Sequence, residues 1–207
     1  MPIVSTGHDV LDRELGGGLP SGSIVVLDAD PVSQSELLLQ AFSGVRDTVY
    51  ITSQRTKAAV RDGYKRTNPE YNVPRLVEVE GEDPLDSAEK IVQTIPEDTT
   101  VIIDTINVLE DEDPIRYRRF MNQLQTHMIN TGGIAVLYAL SGQYVPENRD
   151  ITHGMSDVIF DLKTAVDGTD IVNTLSIPKY RGGRALDETI KLKLTERVSI
   201  DTSRDIA

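Results

Sequence analysis

Ala29, Gln34, Ser35 and Glu36 lie between a run of buried-strand type, Ile24 to Leu27, and an apolar-periodic helix, Glu36 to Phe42. A loop in that setting can grip phosphate. In the pattern GxxxxGK[ST], glycines let backbone N–H groups cradle the anion, the lysine bonds its outer oxygens and the hydroxyl holds Mg²⁺. Laid on that pattern, Ala29 and Gln34 replace the two glycines, Ser35 replaces the lysine and Glu36 replaces the hydroxyl. Asp28 and Asp30 add negative charge beside them. A lost charge-assisted hydrogen bond costs about 1.5–3 kcal/mol. A carboxylate about 4 Å from a phosphate charge adds roughly 4 kcal/mol of repulsion at an effective dielectric of about 20. Together these terms weaken binding by several powers of ten, enough to turn a micromolar affinity into a millimolar one or worse. Two readings remain: an ordinary strand-to-helix loop, or an atypical nucleotide or Mg²⁺ site that uses Glu36 with Asp104.

The flanking residues carry a resemblance. Ser5-Thr6-Gly7-His8-Asp9-Val10-Leu11-Asp12 and Leu15-Gly16-Gly17-Gly18-Leu19-Pro20-Ser21-Gly22-Ser23 follow a long pattern, S-T-G-x-x-x-L-D-x-x-L-G-G-G-[IL]-P-x-G-S. Thr100-Val-Ile-Ile-Asp104 is a strand ending in a carboxylate, and Ser156 to Leu162 and Ile177 to Gly183 supply a D-x-[VI]-[IF]-x-L strand and a K-x-R-G loop. With these motifs the chain resembles the KaiC-like branch of the RecA/RadA P-loop ATPase superfamily along nearly its whole length, with a degenerate Walker A loop. The resemblance implies a three-layer RecA-like α/β core with a mainly parallel sheet, antiparallel strands at its C-terminal edge, and Asp104 at the Walker B position. It also implies that Lys179, Arg181 and Arg184 reach a neighbouring subunit's nucleotide. After the strand Thr48 to Ser53 the family places acids that activate water, whereas this chain has Gln54 and Arg55. Neither an amide nor a guanidinium acts as a general base at neutral pH.

Strands are expected near 24–28, 48–53, 75–79, 100–104 and 134–140, alternating with helices near 33–44, 55–66, 84–95 and 114–131. That alternation favours a parallel sheet covered on both faces. In the last helix Asp113 suits the cap, Pro114 the first turn and Gly132-Gly133 the end. A loop is expected over Ser141 to His153, then strands near 156–164, 170–178, 189–194 and 197–201. The organisation reads as one domain over 1–207: an N-terminal segment (1–23), a parallel core (24–140) and C-terminal antiparallel strands (156–201).

Composition narrows the function classes. With no cysteine, disulfides, thiolate metal sites and cysteine nucleophiles are excluded. His8, His127 and His153 lack ligand spacing, so no metal site is expected. There is no apolar run of membrane-spanning length and no secretory leader pattern at Met1-Pro2-Ile3-Val4, so a cytoplasmic protein is expected. A formal charge of −12 opposes a general nucleic-acid surface. That acidity also resembles proteins of the salt-rich haloarchaeal cytoplasm, where ionic strength screens self-repulsion. Two basic clusters, Arg55/Lys57/Arg61/Lys65/Arg66 and Arg116/Arg118/Arg119, read as solvated helix faces or as docking patches.

Three functions compete on this reading. The first is a non-catalytic regulatory or scaffolding protein, a pseudo-ATPase without a required cofactor, that self-associates or docks to a competent ATPase. The second is a weak ATP/Mg binder or residual ATPase, and the third a DNA-repair accessory.

Overall fold

The computed structural model describes residues 2–67, 72–183, 186–195 and 198–200. In chain order the elements are β1 (Ile3–Val4), α1 (Asp9–Glu14), β2 (Leu19–Pro20), β3 (Ile24–Ala29), α2 (Glu36–Ser43) and β4 (Thr48–Thr52). Next come α3 (Lys57–Thr67), β5 (Arg75–Glu78), α4 (Pro84–Val92), β6 (Thr100–Asp104), α5 (Asn107–Glu110) and α6 (Pro114–Thr131). The chain continues through β7 (Ile134–Leu140), α7 (Arg149–Met155), β8 (Val158–Asp167), β9 (Asp170–Tyr180), β10 (Ile190–Leu194) and β11 (Val198–Ile200).

The main sheet runs β11-β10-β9-β8-β3-β7-β6-β4-β5. Strands β8, β3, β7, β6, β4 and β5 are parallel, and β9, β10 and β11 add antiparallel pairings at one edge. The period-2 alternation of strand side chains explains the two faces. On one face Val25, Leu27, Tyr50, Ile102 and Val136 pack with Leu38, Phe42 and Val60 of α2 and α3. On the other, Ile24, Val26, Ile51, Ile103 and Leu137 pack with Leu85 of α4 and with Phe120, Leu124 and Met128 of α6. The mainly parallel, doubly covered sheet with its antiparallel edge is the architecture expected above.

Helix α6 starts and stops as its residues dictate. The Asp113 carboxylate accepts from the N–H groups of Ile115 and Arg116, Pro114 takes the first position, and Gly132 closes the end at φ 69°. The N-terminal motif also has a structural cause. The Asp12 carboxylate accepts from Ser5 Oγ (2.5 Å), Thr6 N (2.7 Å) and Thr6 Oγ1 (2.8 Å), tying the first turn to α1. Gly7, at φ 81°, presses on the backbone of α2 so closely that a Cβ would lie 2.1 Å from Ala41 O. At Gly18, φ 129°, a Cβ would lie 2.4 Å from Val4 O, where β1 and β2 meet.

Several expectations need correction. Ser141 to His153 is not all loop: Arg149–Met155 forms α7. The helix expected from 33 begins at Glu36, because Asp30 to Ser35 make a turn of their own. The short elements β1, α1, β2 and α5 had no counterpart in the sequence reading. Among the described residues no helix is long and apolar enough to cross a membrane, and no group of three or more His, Asp or Glu side chains has metal-binding geometry.

Candidate functional site

Strands β4 and β6, the loop after β4 and the start of α2 converge on one cluster. Asp104, the last residue of β6, is buried, and its Oδ2 accepts from the Tyr50 hydroxyl (2.7 Å) and from Arg55 Nε and Nη2 (3.2 and 2.7 Å). The third nitrogen of the same guanidinium, Nη1, donates to Glu36 Oε1 at 2.5 Å. Arg55 thus bridges the two carboxylates that sequence reasoning offered as a joint Mg²⁺ site. Its position follows from the loop after β4, where the Thr52 hydroxyl donates to Arg55 O at 2.5 Å.

Electrostatics favour this arrangement. Burial alone lowers the guanidinium pKa, but Asp104, Tyr50 and Glu36 outweigh it, and the net shift is upward. Burial raises the Tyr50 hydroxyl well above its usual range, and the Asp104 charge raises it further, so Tyr50 donates as a neutral phenol. The space beside the cluster, lined by Gln40, Val60 and Tyr64 among others, amounts to about 10 Å³. That is at the lower limit for a single water.

The loop from Ala29 to Glu36 is also internally engaged. Ala29 is buried at the end of β3. The Asp30 carboxylate accepts from Val32 N (3.1 Å) and its carbonyl from Ser33 N (2.9 Å). Ser35 is fully buried, and its Oγ bonds the Tyr138 hydroxyl (2.8 Å) and receives a bond from Ser33 Oγ (3.0 Å). Gln34 is exposed. Burial raises the Tyr138 pKa, and the bond to Ser35 acts against that rise.

A second polar network, unforeseen in the sequence, flanks this loop. Asp28 of β3 pairs with His153 Nε2 (3.0 Å) and Arg149 Nη1 (3.6 Å) of α7, and accepts from Ser141 Oγ. Arg149 is locked against the fully buried Glu110 side chain, with Nε at 2.8 Å from Oε1 and Nη2 at 2.8 Å from Oε2. Thr152 Oγ1 adds a donor to the same carboxylate. Burial alone raises the Asp28 carboxyl pKa, but the His153 and Ser141 hydrogen bonds and the Arg149 charge outweigh it, so the net shift is downward.

Lys179 and Arg181 lie at the far end of α7. Lys179 Nζ donates to the carbonyls of His153 (2.6 Å) and Gly154 (3.2 Å). Burial and the neighbouring Arg181 lower its pKa, against an opposing pull from Asp157. Arg181 pairs with Asp157 at 3.3 Å and remains exposed. Arg184 lies outside the described residues. The basic clusters on α3 and α6 are largely neutralised: Arg116 holds Asp83 and Asp86, Arg66 holds Asp62, Arg119 sits 3.8 Å from Glu89, and Lys57 sits 3.9 Å from Glu80.

Known proteins match this chain in both sequence and fold. It is 31% identical over 119 residues to the DNA repair protein RadA of Pseudomonas aeruginosa, a match covering 54% of this chain and 25% of that protein. The chain therefore spans about a quarter of that curated relative. In fold it is similar to a KaiC-like protein of the hyperthermophilic archaeon Pyrococcus horikoshii, with a TM-score of 0.73, 15% identity, and coverage of 97% of this chain and 99% of that one. The architecture is a KaiC-like RecA core. The chain belongs to the family of unknown function DUF7125, whose profile matches residues 3–207.

Proposed function

We propose that this chain is a non-catalytic regulatory or scaffolding protein, built on a RecA-like core, that has given up ATP hydrolysis and tight ATP binding. One observation carries the reading: the Arg55 guanidinium is hydrogen-bonded to both Glu36 and Asp104, the carboxylates a metal-bound nucleotide would need. A magnesium ion at that point would have to displace a cation already neutralising both acids. A triphosphate would meet Ser35 in place of a lysine and a loop whose Val32 and Ser33 amides are taken by Asp30. The residues present are a poor fit to Mg-ATP on both counts.

Calorimetry with Mg-ATP, together with phosphate-release assays, tests this. No saturable heat at millimolar nucleotide and no turnover are expected. Saturable binding at micromolar ATP would end the proposal. The protein then acts by contact, with itself or with a catalytically intact relative. Arg181 supports that role, being an exposed guanidinium at the K-x-R-G loop held only by long bonds to Asp157 (3.3 Å) and to the Gly154 carbonyl (3.4 Å).

A further inference from the structure

A second cavity lies at the opposite end of the sheet from the Arg55 cluster. It occupies about 520 Å³ at the N-terminal ends of β4 and β5, beside Thr99 just before β6. Strand β4, from Thr48 to Thr52, separates the two places by roughly 13 Å at about 3.3 Å per residue. Arg46, Arg75 and Asp47 line this cavity, with Val73, Pro74 and Pro96 as apolar wall. The volume is that of a small-molecule pocket, and such pockets combine apolar walls with a few convergent polar groups.

The arginines are the informative part. Among the described residues, four arginines are buried or half-buried: Arg46, Arg55, Arg116 and Arg149. Three of them grip carboxylates: Arg55 holds Asp104, Arg116 holds Asp83, and Arg149 holds Glu110. Arg46 does not. Its Nε donates to Thr100 Oγ1 (3.0 Å) and its Nη1 to Gly132 O (3.4 Å), both neutral acceptors. Its Nη2 is covered and has no acceptor among the described residues. Burial lowers the pKa of this guanidinium, and the more distant charge of Asp98 opposes that shift. A cation taken partly out of water with no carboxylate in contact among the described residues is suited to receive an anion. Arg75 has no ion pair or hydrogen bond to a described side chain and brings a second guanidinium to the same cavity. Asp47 also lines the cavity, and the two guanidiniums outnumber it there.

We propose that this cavity binds a small oxyanion carrying a short apolar body, such as a phosphate monoester, with Arg46 and Arg75 as its cationic ligands and the valine and proline wall against its apolar part. Planar guanidinium forks match phosphate oxygens in pairs. The concave shape and the chain's overall acidity select a small molecule over a nucleic acid. The inference is independent of whether the Arg55 cluster binds nucleotide.

The test uses the full chain and phenyl phosphate as probe, in chloride salt, read by calorimetry and by the Arg46 Nε–Hε signal in nuclear magnetic resonance. Saturable binding with a shift of that signal is expected. Arg46→Gln and Arg75→Gln should each weaken it about tenfold or more, and Arg61→Gln on the exposed face of α3 should leave it unchanged. Since Arg46→Gln also removes contacts to Thr100 and Gly132, the exposed Arg75→Gln variant carries the test if the first fails to fold. No saturable binding up to about 10 mM would overturn the proposal. So would affinity unchanged in Arg75→Gln. Equal affinity for inorganic phosphate would overturn the role given to the apolar wall.

Discussion

Arg55 is the side chain whose removal tells most about the site. It joins Glu36, Asp104 and Tyr50, residues that lie 19, 49 and 5 positions away in sequence. Without it, the buried Asp104 would keep the Tyr50 hydroxyl but lose its countercharge. Breaking a fully buried ion pair costs about 3–5 kcal/mol. The Arg55 side chain is 34% exposed, so Arg55→Ala is expected to lose less, about 2–3 kcal/mol in urea unfolding. Arg55→Lys keeps the charge but not the fork, and should fall between the two. An Arg55→Ala chain as stable as the parent would show that the cluster holds nothing together. In the sequence Arg55 was legible as the wrong residue for a base and as one member of a basic cluster. Its pairing with two acids depends on β4 and β6 lying side by side, which no local pattern encodes.

At the scale of elements, the strands and the long helix α6 were legible because apolar periodicity and capping chemistry are local. Helix α7 was not, because its two fully buried side chains are Arg149 and Thr152 and only Ile151 and Met155 add apolar contact, too short a stripe to read over seven residues. Its attachment to β3 through Asp28 gives it a pH dependence. A carboxyl whose pKa is lower in the folded than in the unfolded chain stabilises the fold while ionised, above its ordinary value of 3.8, and that stabilisation disappears as pH falls through the lower folded value. Asp28→Asn is therefore expected to be less stable than the parent at neutral pH, with the gap closing as the medium is acidified below about pH 4. Thermal unfolding of both chains across that range measures it. A gap that stays constant into strong acid would mean that the Asp28 charge is not what holds α7.

For the whole molecule, the proposed action on an intact relative depends on which basic groups are free to leave the chain. The resemblance pointed to Lys179 and Arg181 together, but the fold distinguishes them. Lys179 is committed to the His153 and Gly154 carbonyls at the end of α7, where a cation also interacts favourably with the helix dipole. Withdrawing it would loosen the helix that Asp28 and Glu110 hold through Arg149, Thr152 and His153. Arg181 makes an exposed pair with Asp157 and a long, exposed bond to the Gly154 carbonyl (3.4 Å), and exposed pairs contribute about 0–1 kcal/mol. Since Asp157 also accepts from Ile24 N at 2.9 Å, it stays satisfied when Arg181 swings away. Mixing the chain with a catalytically intact relative is therefore expected to raise that partner's ATP turnover. Arg181→Ala should abolish the gain while leaving the melting temperature of this chain nearly unchanged. Lys179→Ala should lower the melting temperature whether or not a partner is present. Turnover that ignores the added chain would remove the charge-donating role and leave contact alone. A gain that survives Arg181→Ala would move the active group elsewhere on the surface.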